Sequence, residues 1–186
     1  MIHEGSIHRL LPCEYVIIPK IMILVTHGAV GAAIGQALKT HPILAIIAAF
    51  LSHFCLDAIP HWDYSLRSSK EDPNNQLNND IIIGKDFYID LVKIGCDVLA
   101  GLIIALLIAR PTTFYEFLFA MATALAAMVP DFLQFFYFKW RHEPLVSLQK
   151  FHTWIHAKIK LKDRPIFGAS FQAGVILLAF FISRMY

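Results

Sequence analysis

Charge is scarce in this chain of 186 residues: 16% are Asp, Glu, Lys or Arg, against 57% that are hydrophobic. Soluble domains carry about 25% charged residues. The shortfall, with a mean hydropathy of +0.57, points to a bilayer rather than to a large dry core. A net charge of +2 is too small to argue for nucleic acid, which is not expected as a partner. Cysteine is scarce too. Cys13, Cys55 and Cys96 form no CxxC pair or other metal spacing, and an odd, scattered set does not build a disulfide framework. Residues 1–20 do not read as a signal peptide: the basic region is weak, acids intervene, and no small-residue cleavage site follows. They read as an N-terminal extension, with Met22 as an alternative start. Repeats and low-complexity tracts are missing, so residues 1–186 are expected to form a single membrane domain.

What the chain has is long apolar segments. A spanning helix needs roughly 20 mostly apolar residues, and backbone groups in lipid must bond internally, so such segments must be helical. The pattern predicts an all-α, polytopic membrane bundle with about five transmembrane helices, over 21–38, 43–59, 87–109, 113–138 and 166–183. Residues 144–160 place Leu145, Leu148, Phe151, Trp154, Ile155 and Ile159 near helical spacing with lysines around them. That suits an amphipathic helix in the membrane interface.

Five spans put the N-terminus and the 60–85 and 139–165 loops on one side, with most of the basic residues, Arg67, Lys70, Lys139 and Arg141 among them. The other side has Lys39, Arg110 and Arg184. Basic loops stay cytoplasmic, so the expected location is the cytoplasmic membrane, N-terminus in and C-terminus out.

Charged residues inside a span cost about 2.5–3.5 kcal/mol each on insertion scales. Asp86, Asp90, Lys93 and Asp97 lie at i, i+4, i+7 and i+11 of the third span, within roughly 60° of one another at helical pitch. The second span ends in SHFCLDAIPHWDY (52–64), with His53 and Asp57 one turn apart and His61 and Asp63 past Pro60. His27 lies near the start of the first span, and Asp131 follows Pro130 near the end of the fourth. The alternating topology brings all these groups toward one leaflet. A polar cavity at the cytoplasmic face is expected.

Imidazoles and carboxylates without thiolate suit a divalent metal, zinc first, with manganese or iron as alternatives. His27, His53, Asp57, His61, Asp90 and Asp131 are the expected ligands, and the surplus of carboxylates suggests two ions. Asp97 and Asp63 are the expected catalytic carboxylates. Hydrolysis of a phospho- or acyl-ester, on a lipid or lipid-linked substrate, would follow, and an oligomer is possible. His152 and His156 are spaced to complete a site, but beside Trp154 they read as interfacial residues. Other readings are a proton- or ion-coupled carrier using the Asp86–Asp97 stripe, a structural protein with a buried ionic network, and axial haem ligation by His27 and His53.

THGAVGAAIG (26–35) followed by SHFCLDAIPHWDY resembles the membrane-bound metal-dependent hydrolase (YdjM-like) family. The resemblance covers the first two spans well and the remainder loosely. It implies a multi-span protein, His27 as the histidine of a TH motif and Asp131, in VPD, as counterpart of an LPD-type acid. A second TH motif of the HRGxTH kind is missing; FHTWIH (151–156) is at best a remnant.

Overall fold

The protein was analysed as a computed structural model, which describes residues 20–157 and 165–186. Most of the N-terminal extension, and residues 158–160 of the expected interfacial helix, lie outside them. The described chain is helical: α1 (Leu24–Ala37), α2 (Pro42–Asp57), α3 (Lys85–Ala109), α4 (Phe114–Lys139), α5 (Leu145–Ile155) and α6 (Pro165–Ile182). Four short strands form two antiparallel pairs, β1 (Lys20–Met22) with β2 (Asp63–Ser65) and β3 (Ser69–Lys70) with β4 (Asp80–Ile81).

Local chemistry sets the boundaries. Pro42 opens α2 in its first turn, where a missing N–H costs nothing. Arg110 ends α3 in a left-handed conformation, φ 47°, and Pro111 follows. Thr113 and Glu116 form a reciprocal capping box at the start of α4. Pro130 inside α4 lacks the N–H that would bond the Ala126 carbonyl.

The helix α1 is the centre of the bundle and packs against α2, α3, α4 and α6. Its face is made of Gly and Ala, and the buried cluster around it is Ala29, Ala32, Ala33, Ala105, Ile108, Ala124 and Ala179. Small residues let backbones approach closely, which is how helices gain contact where lipid removes the hydrophobic drive. Gly31 shows how closely: a Cβ there would lie 2.5 Å from the Thr123 carbonyl oxygen and 2.8 Å from the Ala127 methyl. The large apolar side chains point outward instead. Ile43, Ile47, Val92, Phe114, Leu118 and Phe167 are all exposed, at 75, 52, 68, 76, 50 and 62%. Exposed apolar surface of that extent marks a contact face, for a membrane or for another protein.

Two helices are long and apolar enough to cross a membrane, α3 with 25 residues and α4 with 26. At 1.5 Å per residue they reach about 37–39 Å, beyond the roughly 30 Å hydrocarbon layer. The expected count of five such helices is not supported. With 14 and 16 residues, α1 and α2 extend only about 21 and 24 Å. The segment 21–38 was expected to be helical throughout, but Ile21 and Met22 are drawn into pairing with Tyr64 and Asp63. The apolar helix α6 also falls short of the spanning pair.

Replacing Gly31 with Val should lower the unfolding temperature in detergent and cost about 1–3 kcal/mol by overpacking. Replacing Gly95, which has open space around its missing Cβ, with Ala should leave it unchanged. Thermal scans of both variants check the pair.

Candidate metal centre

The last turn of α2 carries His53 and Asp57, both buried, with His53 Nε2 3.1 Å from Asp57 Oδ2. The Nδ1 of His53 lies 2.9 Å from the carbonyl of Ala127. A carbonyl only accepts, so Nδ1 carries the proton and donates. In the neutral ring Nε2 is then a bare lone pair. It faces not only Asp57 but also Asp131 Oδ1, at 3.6 Å. Acceptors aimed at one another in a dry interior need a cation or a proton between them.

A fourth group comes from α5. Its His152 Nε2 sits 2.6 Å from Asp57 Oδ2 and 3.9 Å from Asp131 Oδ1. The Gln134 Nε2 group donates to Asp131 Oδ1 at 3.3 Å and to His152 Nδ1 at 3.0 Å, which in the neutral ring leaves the His152 proton on Nε2, facing Asp57; an ion on that nitrogen would require the Gln134 amide to turn its oxygen to Nδ1. The end of α5 is tied to the end of α2 through Ala157 N–H, which donates to the Asp57 carbonyl at 2.8 Å. One ligand atom from each of His53, Asp57, Asp131 and His152 lies within 4.8 Å of the others. A tetrahedral ion with bonds of about 2.0–2.1 Å sets its donors about 3.3–3.4 Å apart; the 3.1 and 3.6 Å spacings bracket that distance, while His152 and Asp57, at 2.6 Å, would have to move apart to share an ion. Asp131 is the open edge, its side chain 13% exposed. The donor of His53 to a backbone carbonyl is the support that metal-bound imidazoles ordinarily have. The residues therefore fit a divalent ion.

His27 stacks on His53 with ring centroids 4.1 Å apart, and its Nε2 lies 3.4 Å from Asp57 Oδ1. Neither of its ring nitrogens finds a hydrogen-bond partner among the described residues. It borders the four-residue group without joining it.

A second group shares Asp57. His61, His156 and Asp57 each bring a ligand atom within 4.8 Å of the other two. The Nδ1 of His61 donates to the Ile59 carbonyl at 2.7 Å, and its Nε2 faces Asp63 Oδ1 at 2.7 Å. Burial works against a charged His61, but the contact with Asp63 and its charge outweigh it and hold the imidazole above its usual value. Burial pushes His156 the other way, below its usual value.

No family model matches this chain, and no curated protein or solved structure is similar to it. The geometry alone therefore carries the functional argument.

The expected site residues divide. His53, Asp57 and Asp131 come together, His27 lies against them, and His61 and Asp63 stand in the adjoining group. Asp90 and Asp97 do not join. Asp90 is buried, but its Oδ2 accepts from the Ser68 N–H and hydroxyl, each at 2.8 Å, with Lys93 Nζ 3.6 Å from its Oδ1. Asp97 accepts from the Leu24 N–H at 2.8 Å, the Val25 N–H at 3.3 Å and the Tyr64 hydroxyl at 3.3 Å. It caps the first turn of α1 from a neighbouring helix. Asp86 lies exposed in the first turn of α3, where a carboxylate suits the positive helix end.

His152 and His156 had the right spacing but were read as interfacial residues, and Gln134 was not singled out; what decides the matter is packing, which buries His152 and Gln149 on one face and leaves Phe151 and Trp154 exposed. The polar face of this amphipathic helix turns inward.

Asp97→Ala should destabilise the protein by about 1–3 kcal/mol, the cost of stranding buried amide donors, while leaving its metal content unchanged. Thermal unfolding beside elemental analysis separates this capping role from a role in the centre.

Proposed function

We propose that this chain is an integral protein of the cytoplasmic membrane, with a divalent cation, zinc foremost, held by His53, Asp57, Asp131 and His152. We infer further that it hydrolyses a phospho- or acyl-ester of a lipid or lipid-linked substrate. The observation that carries the reading is the bare Nε2 of His53 aimed at two carboxylates in a buried cluster.

Membrane placement is supported by the length of α3 and α4 and by the exposed apolar side chains on α2, α3, α4 and α6. In this reading α1, α2 and α6 lie in the bilayer alongside α3 and α4. α1 tolerates its shortness because nine of its fourteen residues are buried among the other helices. The N-in, C-out orientation rests on the bias of Lys and Arg toward one set of loops.

A bound ion would polarise a phosphoryl or carbonyl oxygen and make hydroxide available near neutral pH. The protein's own part is to hold and shield. Ala127 fixes the tautomer of His53, Gln134 aligns Asp131 with His152, and α5 brings His152 against Asp57. Asp131, at the open edge, is where a substrate head group would arrive. Of the two carboxylates expected to act as proton acceptor, Asp63 stands next to the centre, whereas the oxygens of Asp97 are taken up by α1 and Tyr64.

A metal-free His/Asp network is the second reading. The 2.6 Å contact between His152 and Asp57 has the length of a charge-assisted hydrogen bond. An ion-coupled carrier is less well supported, since Asp90 and Asp97 are both committed to local partners.

Elemental analysis of the detergent-purified protein decides between them. Stoichiometric zinc, manganese or iron, with the ion of the His53–Asp57–Asp131–His152 group lost in Asp131→Asn and in His152→Ala, is expected. Hydrolysis of phospho- or acyl-ester probes should cease with chelator, return with zinc, and fall by at least about 100-fold in Asp57→Ala. Protein free of metal, with full thermal stability, supports the network instead.

A further inference from the structure

We propose that Asp57 bridges two ions, the second being a divalent cation held by His61 and His156. This rests on the metal reading given above and extends it from one site to a pair.

The second site stands on its own geometry. It lies past the end of α2, built from the segment after Pro60 and from the residue that ends α5. His61 is 3% exposed. Its Nδ1 is committed to the Ile59 carbonyl at 2.7 Å, so in the neutral ring Nε2 is a lone pair. That lone pair faces Asp63 Oδ1 at 2.7 Å, two acceptors that need a proton or a cation between them, and neither atom finds another partner among the described residues. The His156 ring lies 4.9 Å from His61, centroid to centroid, and its ring and the Asp57 carboxylate bring ligand atoms within 4.8 Å of His61 and of each other. Two imidazoles and a carboxylate form a donor set suited to zinc, manganese or cobalt.

Asp57 is the shared element. Its Oδ2 meets His53 and His152, while its Oδ1 points elsewhere, 3.4 Å from His27 Nε2, and makes no hydrogen bond among the described residues. A carboxylate whose two oxygens face different neighbours is suited to join two ions. The two α5 histidines, one turn apart with rings 6.0 Å apart, then serve one ion each.

Cobalt(II) titration of the chelator-treated full chain in detergent, followed by electron paramagnetic resonance, tests the pair. The wild type should take up two equivalents, the first producing a signal and the second diminishing it through coupling across Asp57. His61→Ala and His156→Gln should each take up one equivalent with an undiminished signal, and Asp131→Asn should also retain one. Asp57→Asn should abolish coupling. A wild type that binds a single equivalent, lost in Asp131→Asn but kept in His61→Ala, overturns the second site and leaves the first intact. A wild type that binds none overturns both. The wild-type titration needs no variant to fold, so the proposal is exposed to failure even where a substitution destabilises the bundle.

Discussion

The carboxylate of Asp57 is the point on which the rest of the structure depends. It is 1% exposed, and three imidazoles from three helices, His27, His53 and His152, converge on it. An uncompensated buried charge costs several kcal/mol, so α1, α2 and α5 can pack as they do only if those imidazoles arrive together. Asp131 extends the constraint to α4 through His53. The resulting arrangement has more acceptors than donors, and a cation resolves that surplus without requiring each histidine to be protonated.

The bundle is organised to make this convergence possible. The glycines and alanines of α1 let it lie close against α3 and α4, with the Met128 side chain seated over Gly28 and Gly101. That proximity places His27 over the His53 ring. The chain then uses polar groups from outside the helices to finish their ends. Asp97 caps α1, Ser68 satisfies Asp90, and Tyr137, Lys139 and Arg141 donate to the carbonyls of the 77–81 loop. The loop between α2 and α3 is therefore fastened on both sides, which holds His61 and Asp63 in place beside the centre.

Much of this was legible in local sequence. HxxxD on an apolar helix places two ligands on one face by spacing alone, and Asp131 after Pro130 stands out as a charge in an apolar run. The helix boundaries were readable from Pro42, Pro111 and the Thr113–Glu116 pair. Partners distant in the chain were not. The stripe of Asp90, Lys93 and Asp97 is a real helical face, but Asp97 is used by amides 72 and 73 residues away, which no periodicity reveals. His152 was obscured for a different reason: Trp154 and the lysines around it look like an interfacial helix, and only packing shows which face of that helix turns inward. The span count failed because three of the apolar helices are short: α1 loses Ile21 and Met22 to pairing with the loop after α2, and α2 and α6 also fall short of the spanning pair.

The most direct test of the central claim is X-ray absorption at the edge of whichever metal copurifies with the protein. A buried His/Asp centre predicts a first shell of nitrogen and oxygen alone, at about 2.0–2.2 Å, with the outer-shell scattering of at least two imidazole rings. Protein that carries no metal, or a metal whose first shell contains sulfur, would contradict it.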